Sequence, residues 1–501
     1  MTRTSRDSLL LSMLLLCLYG SKLVYATSLD EIQRYADTGA IKLAIRIMDR
    51  EQPTLEKQPE QWMQWERQRI SLYETRQDWP VLSERLGKLP DFVTQDFISW
   101  ARGKRAEALI ANGQGAQARE VLRSLIWSDV EYDNEQLAQW RRLIIQSYLG
   151  DGLAADARIA ALRFQQDFAR HADADLMLRA RIALLNEQYA DVIAMLKVDS
   201  EASPTSALRL LAQLRGRSQS AGKVLQAAQN YLRSPKLDKE TFANLWVVAA
   251  EAAQAAGQYG SLTNALEHVM ADRNHVSVPR AIANPTSDDL WNAYMEYAMQ
   301  ISNSKQLLIG QDGKWLALAE SIRQKQPVGA RSLNAFVMLR GHKAIDREQA
   351  AKRFVESISA RKQGARLLQT LFNDSVKFQQ RQAIPAPVRH KLVDLALANA
   401  DIDLASEIMA TIEEPPPGAD QFMWQLRRAR ILVLGSKPSV GARALHEILD
   451  ANPKMEQVQF DRLMQVIFDL QTAGEYESAY TMFAKAMTRT TDEKLQREIY
   501  Y

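Results

Sequence analysis

The amino-acid sequence predicts an all-α protein, an α-solenoid built from antiparallel helix pairs. A turn recurs at a nearly constant interval, and apolar residues fall at helical spacing on both sides of it. This period is typical of a helical solenoid, in which each pair buries its apolar face by stacking on the next. The predicted turns, 35 to 38 residues apart in each series, are at Gly39, Gln77, Gln114, Asp151, Glu187, Gly222 and Gly257, then at Asp401, Pro438 and Gly474.

The composition also indicates a folded, helix-rich chain. Of the 501 residues, 46% are apolar and only 8% are aromatic. This length is too great for one compact core, whereas a solenoid grows along one dimension. The net charge of +3 is close to neutral, and no block of lysine and arginine suggests nucleic-acid binding. We therefore expect no nucleic-acid partner.

Residues 1–26 are predicted to be a secretory signal peptide. A basic start precedes an apolar run over residues 8–19, and a small-residue cleavage site ends at Ala26, before Thr27. The run is shorter than the about 20 residues that a membrane-spanning helix needs. An uncleaved anchor is the alternative. After cleavage we expect no membrane insertion.

Cleavage would also remove Cys17, the only cysteine of the chain. Leu16 precedes it where a lipid-attachment signal needs a small residue, so we do not expect lipidation. The mature chain would carry a charge of +1, from 60 basic and 59 acidic residues. An exported chain without disulfides or thiol chemistry favours the bacterial periplasm.

Residues 27–274 are predicted to form an N-terminal array of repeats. Each repeat contains two amphipathic stripes separated by a turn. The predicted pairs are 29–48; Trp62–Tyr73 with Val81–Leu89; Phe97–Ala111 with Ala116–Ile126; Leu137–Tyr148 with Ala154–Phe168; Asp175–Leu185 with Tyr189–Leu196; and two more within Ser206–Leu232 and Thr241–Met270.

The period is interrupted over residues 275–387, which we interpret as a divergent helical insert or joint between two arrays. Two prolines mark a loop, after which Asp288 is predicted to cap a helix over Leu290–Met299. A long helix is predicted over Arg347–Phe378. The period restarts at Val388, so residues 388–501 are predicted to form a C-terminal array of repeats.

The helix pairs resemble tetratricopeptide repeats, a family with two antiparallel helices per unit of about 34 residues. The units here are longer, and the turn glycine is often absent. The resemblance implies stacked pairs whose first helices line a partner-binding groove. The segment that matches best contains Leu463, Val466, Gly474, Tyr476, Ala479, Phe483 and Ala486.

The sequence contains no recognisable catalytic or metal-binding motif. No two of its six histidines lie three or four residues apart, so no helix offers a pair of imidazole ligands. His268 and His275, seven residues apart, are separated by a predicted helix end. No phosphate-binding loop is present. We therefore predict no enzyme activity, no cofactor and no metal.

One further resemblance points to catalysis and is not supported. Periplasmic α-superhelices resemble the ring domain of soluble lytic transglycosylases, whose catalytic glutamate is followed by serine. Glu477 and Ser478 look similar. However, Ala479 already fits as the packing alanine of a repeat, and no glycine-rich segment follows. We expect Glu477 to face solvent.

Arginines recur on predicted first helices and are the candidate partner-binding residues. Arg105, Arg142 and Arg179 are each 37 residues apart, and Arg102 lies one turn before Arg105. A row of guanidinium groups suits an acidic peptide, because each binds carboxylate with two hydrogen bonds. The alternative is structural pairing with acids of the same or a neighbouring unit, such as Glu107 and Glu187.

The tryptophans are expected to pack in helical stripes of the core. Trp291, Tyr294 and Tyr297 on one helix are the best candidates for an exposed aromatic face, although core packing is favoured.

These observations predict an exported, periplasmic, non-enzymatic scaffold that binds an extended peptide or another envelope protein. The alternative is the superhelical part of a larger envelope machine, for peptidoglycan processing or polysaccharide export, whose catalytic or barrel region would lie outside these residues. Two apolar-faced tyrosines, Tyr500 and Tyr501, end the sequence. Either the last helix caps the array alone or further repeats belong beyond it, and we favour the second interpretation.

Overall fold

The computed structural model describes residues 28–37, 41–90, 93–168, 172–197, 202–399, 401–472 and 475–488, and all regular structure in these ranges is helical. The predicted signal peptide, the turns at Gly39 and Gly474 and the final tyrosines lie outside the described residues. The helices of the first array are α1 (Leu29–Asp37), α2 (Ile41–Glu51), α3 (Pro59–Arg76), α4 (Trp79–Leu86), α5 (Gln95–Ala111), α6 (Gly115–Ile126), α7 (Asn134–Gly150), α8 (Ala154–Asp167), α9 (Ala172–Leu185), α10 (Tyr189–Met195), α11 (Ser206–Arg215), α12 (Ala221–Tyr231), α13 (Lys239–Ala255) and α14 (Tyr259–Ala271).

The remaining helices begin inside the predicted interruption and continue into the predicted C-terminal array. They are α15 (Ser287–Ile301), α16 (Ser304–Leu308), α17 (Asp312–Ile322), α18 (Pro327–Arg340), α19 (Ala344–Ser359), α20 (Gly364–Asn373), α21 (Ala386–Ala398), α22 (Ile402–Met409), α23 (Gln421–Leu434), α24 (Pro438–Ala451), α25 (Gln457–Thr472) and α26 (Tyr476–Met487). The predicted interruption contains α15 to α20. Short 3-10 turns occur at Arg273–His275, Val376–Phe378 and Arg381–Ala383.

The chain divides into two compact units, at Trp100 and Ala101 within α5. The first unit contains α1 to α4 and a buried ionic cluster. Glu66 accepts hydrogen bonds from Arg69 Nη1 at 2.6 Å and from Arg85 Nε at 2.8 Å. Burial raises the pKa of Glu66, but Arg85 and Arg69 outweigh this effect and hold the pKa below its ordinary value.

In the second unit, consecutive helices pack as pairs, and first helices also contact first helices of neighbouring pairs, as α11 does with α9 and α13. The buried apolar residues form clusters that continue from one pair to the next. This arrangement confirms the predicted fold class, an all-α solenoid of tetratricopeptide-like helix pairs.

Left-handed backbone conformations mark the turns between paired helices. Gln77, Glu187 and Gly257, all predicted turn residues, have φ of 58°, 59° and 65°. A residue in this conformation ends a helix and satisfies its last carbonyl groups. The predicted turns at Gln114 and Asp151 each lie beside a glycine with positive φ.

The predicted turn at Gly222 is wrong. Gly222 lies inside α12, and the left-handed residue between α11 and α12 is Arg217, with φ of 52°. The glycine in the sequence therefore marked the wrong position. The left-handed conformation that glycine usually adopts at such a turn is adopted here by Arg217, at a cost in backbone strain.

The middle of the chain does not continue as a simple row of pairs. Helix α20 packs against α14 and α15, and α18 packs against α15. The predicted long helix over Arg347–Phe378 is wrong, because α19 ends at Ser359 and α20 begins at Gly364. A Cβ at Gly364 would overlap the carbonyl group of Ile358, so a glycine permits this reversal.

Helix α15 carries the aromatic core of this region. Trp291 and Tyr294 are fully buried, so both belong to the core and not to an exposed face, while Tyr297 is half-buried. The indole of Trp291 donates to the carbonyl of Leu371 at 3.1 Å. Thr286, and not the predicted Asp288, caps α15 through a reciprocal pair of hydrogen bonds with Asp289.

The last two pairs form their own apolar cluster. Leu463, Val466, Ala479 and Ala486 of the best-matching repeat are buried there, and Glu477 is exposed. The tryptophans mostly pack in the core, as expected. The expectation is wrong for Trp127, which directly follows α6 and is 77% exposed.

Candidate functional site

The four predicted partner-binding arginines occupy different surroundings. Arg102 and Arg179 are exposed, and Arg105 is half-buried with a buried Nε that has no hydrogen-bond partner. Arg142 lies over the ring of Phe164, with 5.1 Å from Cζ to the ring centroid. These surroundings do not test a common partner-binding role, so that role stays a prediction.

The two acidic residues suggested as structural partners of these arginines, Glu107 and Glu187, have other roles. Glu107 accepts a hydrogen bond from Lys104 Nζ at 2.9 Å. Among the described residues, Arg102, Arg105 and Arg179 have no carboxylate within ion-pair distance. Glu187 stands at the left-handed turn between α9 and α10.

A connected set of polar side chains lies elsewhere, on the first helices α9, α11 and α13. We call it the first-helix face. A non-helical stretch of the same chain, residues 276–285, lies on it, and we call this stretch the groove segment. It follows the 3-10 turn at Arg273–His275 and ends before the cap of α15.

Asn244 of α13 holds the beginning of the groove segment by its main chain. Its Oδ1 accepts from the backbone N–H of Ser277 at 2.9 Å and from that of Val278 at 3.2 Å. Its Nδ2 donates to the Ser277 hydroxyl at 2.9 Å. The Asn244 side chain is itself buried. Both polar atoms of its carboxamide, Oδ1 and Nδ2, form hydrogen bonds with the groove segment.

The Ser277 hydroxyl joins α9 to α13. Arg181 Nη2 of α9 donates to it at 2.9 Å, and the hydroxyl donates to Glu240 of α13. Burial lowers the pKa of Arg181 and Glu240 opposes this shift. Because arginine titrates far above neutrality, the guanidinium remains charged.

Arg215, the last residue of α11, binds the second half of the groove segment. It forms two hydrogen bonds with Glu251 of α13, at 2.7 and 2.8 Å, and a third at 2.7 Å with the carbonyl of Ile282. The carboxylate thus fixes a guanidinium that binds a main-chain carbonyl of the groove segment.

Two aliphatic side chains anchor the groove segment. Val278 and Ile282 are 4% and 6% exposed and belong to the main apolar cluster. Between them, Arg280 and Ala281 are exposed. A Cβ added at Gly152, after α7, would lie 3.5 Å from the Ala281 side chain, which places the segment's middle close to that turn.

A cleft of about 440 Å³ opens where the groove segment ends. Its walls are α13, α14, α15 and residues 283–285, over an apolar floor that includes Val247 and Leu262. The side chains of Gln254, Asn284 and Glu296 line this cleft and make no hydrogen bond or ion pair within the described part of the chain. Apolar surface with a few unpaired polar groups is the usual composition of a binding cleft.

Sequence reasoning missed Arg181, Asn244 and Arg215. Arg215 follows Arg181 by 34 residues, a repeat-length interval, and this was the signal available in the sequence. Arg179 precedes Arg181 by two residues, which is about 200° around a helix. The side chains of Arg179, from the predicted arginine row, and Arg181, from the first-helix face, therefore lie on different sides of α9.

Other chemistry is sparse in the described ranges. There, no cluster of three or more histidine, cysteine and acidic side chains could hold a metal ion. His275 contacts Asp272 at 2.5 Å, and the ring of His268 stacks on Trp246 with a centroid distance of 4.1 Å. No described helix is both long and apolar enough to span a bilayer.

Comparison with known proteins gives no family assignment. No protein-family model matches the chain, and no curated protein is significantly similar. Among solved structures, the crystal structure of the APC/C hetero-tetramer Cut9-Hcn1 matches with a TM-score of 0.28 and 13% identity, over 93% of this chain and 88% of that chain. The fold assignment rests on the helix pairs described above.

Proposed function

We propose that this chain is an exported, periplasmic, non-enzymatic scaffold that binds an extended segment of a cell-envelope protein. The site is the first-helix face together with the cleft that follows it. The helix-pair fold supports protein binding in general, while the envelope location rests on the sequence of residues 1–26.

The observation that carries the proposal is the way the first-helix face holds the groove segment. Asn244 and Arg215 bind main-chain N–H and C=O groups. Such bonds do not depend on the side chains of the bound segment, and recognition of extended peptides combines them with pockets for a few anchors. The cleft beside Glu296 continues the same surface, because α13 contributes side chains to both.

A photo-crosslinking experiment tests the site. A photoreactive amino acid replaces Glu296 in the cleft, and in a matched protein it replaces Glu348, an exposed acid near the start of α19. We expect one envelope protein to crosslink at position 296 and not at position 348. Adding Gln254→Arg to the first protein should abolish that crosslink. Equal labelling at both positions would contradict the cleft as the site.

Export is tested separately. N-terminal sequencing of the protein from a periplasmic fraction should read from Thr27. A chain that begins at Met1 and stays in the cytoplasm would contradict the location but leave the binding surface intact.

The surface of Arg102, Arg105, Arg142 and Arg179 remains a second proposed contact, for acidic residues of the partner. Arg102→Glu with Arg179→Glu changes its two exposed members. We expect weaker partner binding and an unchanged melting temperature. Loss of stability instead would mean that these arginines are structural.

A further inference from the structure

We propose that the groove segment is a displaceable internal ligand, and that the partner's segment takes its place on the first-helix face. This inference rests on the proposed function and adds its regulation. The free chain would occupy its own binding face, and the partner would bind by competition.

The contacts of the groove segment are those of a bound peptide more than those of a core element. From Ser277 onwards, helix side chains supply its hydrogen bonds to the rest of the chain, through Asn244, Arg181 and Arg215. The segment also contains one backbone turn of its own, in which the Pro279 carbonyl accepts from the N–H groups of Ile282 at 2.8 Å and Ala283 at 3.0 Å. Its only deeply buried side chains are Val278 and Ile282. A different chain with the same two anchors could accept the same bonds.

The flanking helices are completed without residues 277–285. Only Val276 belongs to the preceding 3-10 turn, because its N–H donates to the carbonyl of Arg273 at 3.2 Å. The 3-10 turn after α14 is closed by Asp272, which accepts the backbone N–H of His275 at 3.0 Å and contacts its ring. The first turn of α15 is closed by Thr286 and Asp289. Helices α14 and α15 also pack directly against each other. Release of residues 277–285 would therefore leave both helix ends satisfied.

The groove segment also shows which chemistry the partner must offer. Its two aliphatic anchors are four residues apart, and a hydroxyl precedes the first anchor. The Ser277 hydroxyl meets two donors, Arg181 and Asn244, and one acceptor, Glu240. The fitting partner is thus a protein segment with a serine or threonine, then an aliphatic residue, then a single backbone turn like that at Pro279, which brings a second aliphatic residue four positions later onto the same face.

Competition with the groove segment should lower the affinity of the chain for a free peptide. A tethered ligand acts at an effective concentration in the millimolar range. A free peptide of the same sequence should therefore bind the wild-type chain weakly. Changes that weaken the groove segment should strengthen peptide binding, whereas changes in the first-helix face should weaken it.

The test uses a fluorescent synthetic peptide with the sequence of residues 275–286. Its affinity is measured by anisotropy for the wild-type chain and for Val278→Ser with Ile282→Ser, which removes both anchors from the chain but not from the peptide. We expect the double variant to bind at least ten-fold more tightly. Adding Asn244→Ala should reverse this gain, and a peptide with both anchors changed to serine should not bind.

Equal affinity of wild type and the double variant, with helix content retained, would overturn the proposal. Native-state hydrogen exchange of the unmodified chain gives a second readout in case the variant does not fold. The Ser277 and Val278 amides should exchange at least ten-fold faster than amides in the middle of α13. If the Ser277 and Val278 amides and the α13 amides all exchange at the rate of global unfolding, the proposal is also overturned. Neither result affects crosslinking at position 296, which tests the proposed function alone.

Discussion

Replacing Glu267 with leucine is the sharpest test of how the middle of the chain is held together. Glu267 on α14 is fully buried and accepts from Arg331 of α18, at 2.7 Å from Nε and 2.6 Å from Nη2. The Tyr294 hydroxyl donates to the same carboxylate at 2.8 Å, and Arg361 also contacts it. Three helices and the turn after α19 thus meet at one carboxylate.

The expected cost follows from the burial of these groups. Arg331 is 5% exposed, so Glu267→Leu leaves a buried cation without its counter-ion, which costs about 3–5 kcal/mol. Arg361 is more exposed and can be hydrated. Adding Arg331→Met removes the buried charge, leaving mainly the unpaired Tyr294 hydroxyl, at about 1–3 kcal/mol. A triple variant with Tyr294→Phe should lose least, since apolar groups of similar volume replace a buried network at little cost.

The assay is native-state hydrogen exchange of α18 in increasing urea. It reports local opening, which suits a chain whose length makes two-state unfolding a poor description. Arg323→Met is the matched control, since Arg323 forms an exposed pair with Glu320 at 3.5 Å and should cost below about 1 kcal/mol. A single Glu267 variant as stable as the double variant would refute the reasoning, because the charge on Arg331 would then be hydrated.

Three other predictions concern separate parts of the chain. Burial, assisted by Arg361, lowers the pKa of His268 from 6.5 to about 4. The contribution of neutral His268 to stability should therefore be fully present above about pH 6.5 and be lost as the pH falls towards 4, by up to about 3 kcal/mol; His268→Phe should flatten this dependence in native-state hydrogen exchange of α14. Gln77→Gly should stabilise α3 by about 0.5–1 kcal/mol in native-state hydrogen exchange, because it relieves a left-handed backbone with φ of 58°; no gain would contradict that strain. Ala479→Trp should lower the melting temperature by overpacking a position that is 1% exposed, and an unchanged melt would contradict the packing of α26.

The fold was predictable because its determinants are local. Helix spacing of apolar residues and a turn every 35 to 38 residues are visible within one repeat, and stacking follows from the need to bury each face. Errors occurred where local signals mislead. Gly222 resembled a turn but lies in α12, and the break at Gly364 is a glycine required by a close approach to Ile358.

The site was not predictable because its contacts join distant parts of the chain. Arg181 reaches Ser277 across 96 residues, and Arg215 reaches Ile282 across 67. No repeat period encodes such contacts, since the groove segment belongs to the interruption of the period. Alignment of the first helices by their turns selected Arg179, whereas Arg181, two residues later and about 200° around the helix, makes the contact with Ser277.

The charges on the first-helix face determine how it can recognise a partner. Glu240 lies 3.5 Å from Arg181, and Glu251 binds Arg215 at 2.7 Å. These arginines are already neutralised, so affinity there should come from main-chain hydrogen bonds and aliphatic anchors. Binding of the 275–286 peptide should therefore change little between about 0.05 and 0.5 M salt. Binding through exposed Arg102 and Arg179 would weaken over the same range, because screening acts on exposed charges. Salt dependence of the partner's affinity thus separates the two surfaces: a steep loss favours the arginine row, and a flat response favours the first-helix face.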